Sequence, residues 1–199
     1  MSDNHTHDHD LINHDRKMLW IVLLLNGSMF FLELWQGMRA DSSSLIADSM
    51  DFFSDSLSYI ITLYVIQKHI HIRAKAALVK ASFMILLAIL AIGQGVHNMI
   101  GHNTPVSLTM GWVGLLALSV NIGSAMLLYN SRDRDSNMKS VWLCSRNDAI
   151  ANLLILLAAF LVFISNSPYP DLIVAVGIAL LEGSSAIKII SHAMQELKS

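Results

Sequence analysis

The chain is dominated by six apolar blocks, each close to the roughly 20 residues that a helix needs to cross a bilayer. Hydrophobic residues make up 54% of the chain and charged residues only 14%, against roughly 45–50% and about 25% in soluble domains. The blocks lack the strict alternation of membrane β-barrel strands. The sequence therefore predicts an all-α membrane protein with six transmembrane helices, at residues 18–38, 45–67, 76–96, 110–130, 141–164 and 171–190.

Basic residues are spread unevenly between the predicted loops. Arg16 and Lys17 precede the first block, and the second and fourth loops are basic, whereas the third and fifth carry no Lys or Arg. Because basic loops stay in the cytoplasm, both termini are predicted to be cytoplasmic. We divide the chain into a flexible, His- and Asp-rich tail (1–17), a six-helix domain (18–190) and a short C-terminal tail (191–199).

Composition and motifs limit the classes of function. The net charge of −2 gives no basis for binding nucleic acid. The sequence shows no nucleophile–base pair and no phosphate-binding loop, so we expect neither an enzyme nor an ATP site. The expected surroundings are a lipid bilayer, and no prosthetic group is predicted.

Besides Asp171 at the first position of the sixth block, six acidic residues lie inside the predicted spans, where each costs roughly 2.5–3.5 kcal/mol at a helix centre. They are Glu33, Asp48, Asp51, Asp55, Asp148 and Glu182. The apolar blocks contain few basic residues, all toward predicted cytoplasmic ends: Lys80, Arg146 and Lys188. Most of the carboxyls must therefore be protonated, hydrated or bound to a cation that is not part of the protein. For Glu182 the sequence names no partner.

The second block holds the densest acidic group. Asp51 and Asp55 are four residues apart, which places them one turn apart on the same helix face. Asp48 flanks that face. The carboxylates repel one another unless a positive charge lies between them. The alternative is an acidic helix end that frays into water, which Phe52, Phe53 and the apolar run beyond them disfavour.

The fifth block repeats this spacing with Cys144 and Asp148. A thiolate and a carboxylate here could join Asp51 and Asp55 to form a four-ligand site on two facing helices. Four such ligands suit a tetrahedral divalent ion such as zinc.

Both residues of the second pair also have simpler interpretations. A single Cys in an apolar helix is usually a small buried packing residue. Asp148 could instead be the partner of Arg146 or Lys139 near the start of its helix. Spacing alone leaves these alternatives open.

The N-terminal tail alternates His with Asp. It could gather metal loosely at the cytoplasmic mouth, since His is a common metal ligand near neutral pH. It could equally be a polar tail that aids solubility. The His residues concerned are His5, His7, His9 and His14.

A short pattern occurs twice along the chain. Asn26-Gly27-Ser28 in the first block resembles Asn121-Ile122-Gly123-Ser124 in the fourth. The two halves would enter the membrane from opposite sides, so the pattern predicts an inverted three-helix repeat with a site between the halves. Gly and Ser are also ordinary packing residues at helix contacts.

A set of residues in this order resembles the cation diffusion facilitators, the cation efflux family. The first block carries Asn26, Glu33 and Gly37, and the second carries the run from Ser44-Leu45-Ile46-Ala47-Asp48 to Asp55. Asn121, Asp148 and Tyr169-Pro170-Asp171 follow in the later blocks. The resemblance implies a six-helix transport domain with two pairs of metal ligands facing each other near mid-membrane. It implies that Asp51, Asp55 and Asp148 are ligands. We expect Asn26, Asp48 and Asn121 to lie next to these ligands and to contact them without binding the metal.

The resemblance also implies a function. The family exports divalent metal in exchange for protons while alternating between inward-open and outward-open forms. Zinc is the expected ion, with cadmium, cobalt, iron and manganese as alternatives. Metal and protons would compete for the same deprotonated ligands. We expect a multi-pass protein of the bacterial inner membrane, with a homodimer through the membrane helices as a further expectation.

The chain departs from the family pattern in three places. Cys144 stands where His is usual, so the site either favours soft ions such as zinc and cadmium or has lost a ligand. The usual basic-acidic motif before the third block is reduced to Arg73-Ala-Lys75. The cytoplasmic domain that normally follows the sixth span is not expected. These departures leave an alternative: a transport-inactive protein that binds metal or regulates a full-length relative.

Overall fold

The computed structural model describes residues 3–61, 63, 70–130 and 136–198. Within these ranges the chain forms helices and no strand, which confirms the all-α prediction. Six α-helices are present: α1 (Asp3–Arg39), α2 (Ser43–Ile60), α3 (Ile70–Gly101), α4 (Ser107–Tyr129), α5 (Ser136–Ser165) and α6 (Tyr169–Lys198).

Five of these helices are long and apolar enough to cross a membrane, as far as the described residues extend. They are α1, α3, α4, α5 and α6. Helix α2 is not among them, because its 18 residues include three aspartates. Five predicted spans are therefore confirmed as apolar helices of membrane length, and the crossing by α2 and the side on which the termini lie stay predictions.

The first and last helices are longer than the predicted spans. The backbone is helical from Asp3, where the sequence indicated a flexible tail. Residues 3–17 contain no Gly or Pro, so nothing stops the helix of the first span from extending backward. At the other end α6 continues to Lys198. The side chains of His5, His7, His9 and His14 lie outside the described part of the structure.

Three helices are each followed, within two residues of their last residue, by a residue in the left-handed backbone conformation. These residues are Asp41 (φ 53°), His102 (φ 53°) and Asn166 (φ 48°), types that tolerate this conformation better than most. The Ser42 N–H then bonds the Gly37 carbonyl at 2.9 Å, as in other helix C-caps of this kind. The three turns lie at one end of the bundle, which we call the turn end.

Helix α2 lies at the centre of the packing, against α1, α3, α5 and α6. Helix α1 packs on α2 as α4 packs on α5, and α3 packs on α6, which is the correspondence that an inverted three-helix repeat would give. The outside of the bundle exposes large apolar side chains such as Phe31, Leu108 and Phe163. Exposed apolar surface on this scale fits contact with lipid. Many of the buried polar residues lie on α2, so the polar core of the bundle lies around this helix.

Candidate metal site

Helix α2 carries its aspartates into the interior of the bundle. Residues 43–50 are all buried, Asp48 is 0% exposed and Asp55 is 6% exposed. Asp51 is half-buried. An acidic helix end that frays into water is therefore excluded. The first half of α2 is fully buried, whereas several residues of its second half are partly accessible. Asp51 and Asp55 lie in this second half, on the side of the bundle that holds the termini.

Asp55 faces helix α5. Its Oδ2 accepts a hydrogen bond from the Tyr59 hydroxyl at 3.1 Å, and that hydroxyl lies 3.4 Å from Ser145 Oγ on α5. The carboxyl groups of Asp55 and Asp148 lie within hydrogen-bonding range of each other. The structure thus brings together the second-span and fifth-span aspartates that the sequence singled out. Two carboxyls in this contact require a proton or a cation between them.

The structure argues against burial of Cys144 and against pairing of Asp148 with Arg146. Cys144 is exposed, so it is not a buried packing residue, and its thiol lies in electrostatic range of Asp55 and Asp148. The guanidinium of Arg146 lies 5.4 Å from the centre of the Trp142 ring and donates to Asn147 at 3.1 Å. It therefore does not serve as the partner of Asp148. The side chain of Lys139 is outside the described residues.

Glu182 of α6 is the site residue whose partner the sequence could not name. Its carboxyl lies within hydrogen-bonding range of Asp51. It also lies in electrostatic range of Asp55, Asp148 and Cys144. The signal in the sequence was the carboxylate itself, since an acidic residue in an apolar helix needs a reason. The helix that supplies its partner depends on how α6 packs against α2.

The described residues do not hold a preformed metal cage. No three His, Cys, Asp or Glu side chains among them lie in an arrangement that could hold a metal ion. The four predicted ligands Asp51, Asp55, Cys144 and Asp148 share one region of the bundle without closing on a common point. Ligation by these four residues stays a prediction.

A second carboxyl pair lies one turn nearer the turn end. Glu33 of α1 and Asp48 of α2 are both fully buried and lie within hydrogen-bonding range of each other. None of their four oxygens has an N–H or O–H donor. Two carboxyls in such contact can hydrogen-bond only if one carries a proton, because two buried negative charges this close repel strongly. Asp48 thus lies in contact with Glu33 of α1, and its support of the metal ligands stays a prediction.

Buried asparagines complete the polar interior. The predicted supporting residues Asn26 and Asn121 are each 1% exposed, and the Oδ1 atom of each has no hydrogen-bond partner. Asn152, which the sequence analysis did not identify, is also buried with a free Oδ1. Its Nδ2 donates to the Asp148 backbone carbonyl at 2.9 Å. These amide oxygens provide acceptors for a proton, a water or a cation inside the bundle.

The turn end of the bundle is tied together by polar contacts. The Asp171 carboxylate of α6 accepts hydrogen bonds from three consecutive serines at the start of α2: Ser42, Ser43 and Ser44. The Val106 N–H bonds the Ala40 carbonyl at 2.9 Å, and Thr104 Oγ1 donates to the Asn166 carbonyl at 3.2 Å. All three turns are thus linked, and this end of the bundle is closed.

A bundle of membrane-length helices with partly accessible carboxyls at its centre is typical of membrane proteins that move ions. Residues 19–198 match the family model of the cation efflux transmembrane domain. The chain therefore belongs to the cation efflux family, which confirms the resemblance seen in the sequence. The family is one of metal cation transporters. A search of curated proteins finds no match.

Proposed function

We propose that this protein exports divalent metal from the cytoplasm in exchange for protons, with zinc as the preferred ion. The observation that carries the proposal is the contact between Asp55 of α2 and Asp148 of α5. Two carboxyls that face each other between helices must be bridged by a proton or a metal ion. One site that accepts either species is the basis of an exchange mechanism, because metal binding requires deprotonated ligands.

The proposed ligands are Asp51, Asp55, Cys144 and Asp148. In the described structure they are near one another but not converged, so we propose that metal draws α2 and α5 together. Three carboxylates and a thiolate form a negatively charged site that suits zinc or cadmium. Cobalt, iron and manganese are the alternative ions to be tested.

We propose that the structure represents an inward-facing form. The turn end is closed by Asp171 and the serines of α2, whereas Asp51 and Cys144 are accessible at the other half of the bundle. If the termini are cytoplasmic, the accessible half faces the cytoplasm. Alternating access would then require the contacts at the turn end to separate after metal has bound.

The experiment is a transport assay with purified protein in liposomes. A pH-sensitive dye inside the vesicles reports proton movement while zinc, cadmium, cobalt, iron or manganese is added outside. We expect metal-dependent proton movement from the wild type, and its loss in Asp55→Ala and Asp148→Ala. Asn147→Ala, which changes the exposed neighbour of Asp148, is the matched control and should keep the wild-type rate.

Two results would contradict this proposal. Normal exchange in either aspartate variant would remove the assigned site. Metal binding by the wild type without any proton movement would favour a transport-inactive binding or regulatory protein instead. Lower pH should weaken zinc binding in the wild type, because protons compete for the same ligands.

A further inference from the structure

Lys80 of α3 places a positive charge next to the proposed metal site. Its Nζ donates a hydrogen bond of 2.8 Å to Ser58 Oγ on α2. Ser58 is three residues after Asp55 and thus on the same face of α2, one turn further along. Ser58 Oγ in turn donates to the Ser54 carbonyl at 2.9 Å. The ammonium group is therefore anchored to the helix that carries two of the proposed ligands.

The charge of Lys80 acts on the same groups that would bind the metal. Because its anchor Ser58 lies one turn from Asp55, the ammonium group lies in electrostatic range of Asp55, and also of Cys144, Glu182 and Asp51. Nevertheless the hydrogen bond of Nζ goes to the Ser58 hydroxyl and not to a carboxylate. Lys80 thus places its charge near the carboxylates without itself donating a hydrogen bond to their oxygens.

Two other basic residues of the described bundle do not offer this charge. Arg146 stacks on Trp142 and donates to Asn147. Lys75, on the same helix as Lys80, is exposed. Lys80 is the lysine of α3 that is turned toward α2, and it is half-buried.

We propose that Lys80 is a built-in counter-cation that lowers the affinity of the site for metal. This inference rests on the proposed function. In the empty site the ammonium charge offsets part of the carboxylate charge. In the occupied site it repels the divalent ion and favours release. A transport site must bind its ion strongly enough to load and weakly enough to unload, and Lys80 shifts the balance toward unloading.

The test compares variants of Lys80 in zinc binding, measured by titration calorimetry on purified protein, and in zinc transport in liposomes. Lys80→Met and Lys80→Gln both remove the charge, and Gln can still donate to Ser58. We expect both to bind zinc about tenfold more tightly or better, because a unit charge within several ångströms repels a divalent ion by this much or more. Their maximal transport rate should fall, since release becomes slower.

Two control variants separate charge from structure. Lys80→Arg keeps the charge and should stay within about threefold of the wild-type dissociation constant, a difference smaller than 1 kcal/mol. Lys75→Met makes the same substitution at an exposed position of the same helix and should bind as the wild type does. A purely structural role would instead lower the melting temperature of Lys80→Met without tightening zinc binding.

The outcomes distinguish this inference from the proposed function. If folded Lys80→Gln binds zinc with wild-type or weaker affinity, the counter-cation role is wrong, whether or not Lys80→Met folds. If the wild type does not bind zinc, or Asp148→Ala binds it unchanged, the proposed metal site itself is wrong. Tighter zinc binding in the charge-removing variants together with loss of binding in Asp148→Ala would support both.

Discussion

The Asp171 carboxylate accepts two hydrogen bonds from Ser43, one from its backbone N–H at 2.6 Å and one from its hydroxyl at 2.5 Å. Ser43 is the first residue of α2, and Asp171 lies in the first turn of α6. A carboxylate at a helix N-terminus satisfies N–H groups that have no partner inside the helix, and it interacts favourably with the helix dipole. One side chain therefore fixes the start of the central helix to the start of the last.

Asp171→Ala should strongly destabilise the protein. The substitution leaves the buried N–H groups of Ser43 and Ser44 and three hydroxyls without their acceptor. We expect a loss of about 3 kcal/mol or more, because hydrogen bonds to charged groups are among the strongest and the donors remain buried. Thermal denaturation in detergent measures it. The control is Asn147→Ala, and equal melting temperatures for the two variants would contradict the role of Asp171.

Gly37→Ala should separate α1 from α2. A methyl group at Gly37 would lie 2.9 Å from Ile46 Cγ1 and 3.0 Å from the Ile46 backbone nitrogen, so the helices must move apart. We expect a cost of about 1–3 kcal/mol. Gly27→Ala on the same helix is the matched control, since its methyl group would meet Ser56 Oγ at an ordinary 3.8 Å. It should be neutral or stabilise by up to about 1 kcal/mol through helix propensity. The reverse order of melting temperatures would refute the close approach.

Glu33→Gln should be tolerated, whereas Glu33→Ala should not. The Gln amide can donate to the Asp48 carboxylate in place of the shared proton. Ala leaves the buried Asp48 carboxyl without any partner, which costs about 1–3 kcal/mol or more. The measurement is the melting temperature of each variant in thermal denaturation. A stability of Glu33→Ala equal to that of Glu33→Gln would show that the two carboxyls do not interact.

Glu182→Gln should weaken zinc binding. Its carboxyl contacts Asp51 and adds negative charge to the site. We expect a loss of about 10–100-fold in affinity, the range found when groups that hold metal ligands are removed. Glu196→Gln makes the same change further along α6 and serves as the control. Unchanged zinc affinity in Glu182→Gln would place Glu182 outside the site.

Whether the Cys144 thiol binds metal decides which of two variants, Cys144→His or Cys144→Ser, has the higher zinc transport activity. If the thiol binds metal, Cys144→His should keep zinc transport and weaken the preference for cadmium, because imidazole is the harder ligand. Cys144→Ser should cut zinc transport by about tenfold or more, since a serine hydroxyl is seldom a zinc ligand. The thiol is exposed, so maleimide should label it, and zinc bound to the thiol should protect it from this labelling. Activity of the Ser variant equal to or above that of the His variant would leave Asp51, Asp55 and Asp148 as the protein ligands.

The helices could be predicted from the sequence because the signals for them are local. Apolar blocks, helix breakers and basic loops indicated six helices close to their observed positions. The start of α1 could not be predicted, since the polar residues before Arg16 lack apolar periodicity but also lack any residue that would end a helix.

The aspartate pairs could also be predicted in part. Four-residue spacing put Asp51 with Asp55 and Cys144 with Asp148, because the period of a helix fixes which residues share a face. Contacts between helices could not be read in this way. The pairing of Asp51 with Glu182, the anchoring of Lys80 on Ser58 and the bonding of Asp171 to Ser43 all depend on how α3 and α6 pack around α2.

The sequence by itself determined that this is a helical membrane protein of the cation efflux family with carboxylates in its interior. Only the tertiary structure decided which of those carboxylates meet, which cation stands beside them and which end of the bundle is closed. The physical reason is that the spacing of residues in the sequence fixes the angle at which each side chain leaves its own helix. The distance between two residues on different helices is set by packing, which brings together side chains as far apart in sequence as Ser43 and Asp171.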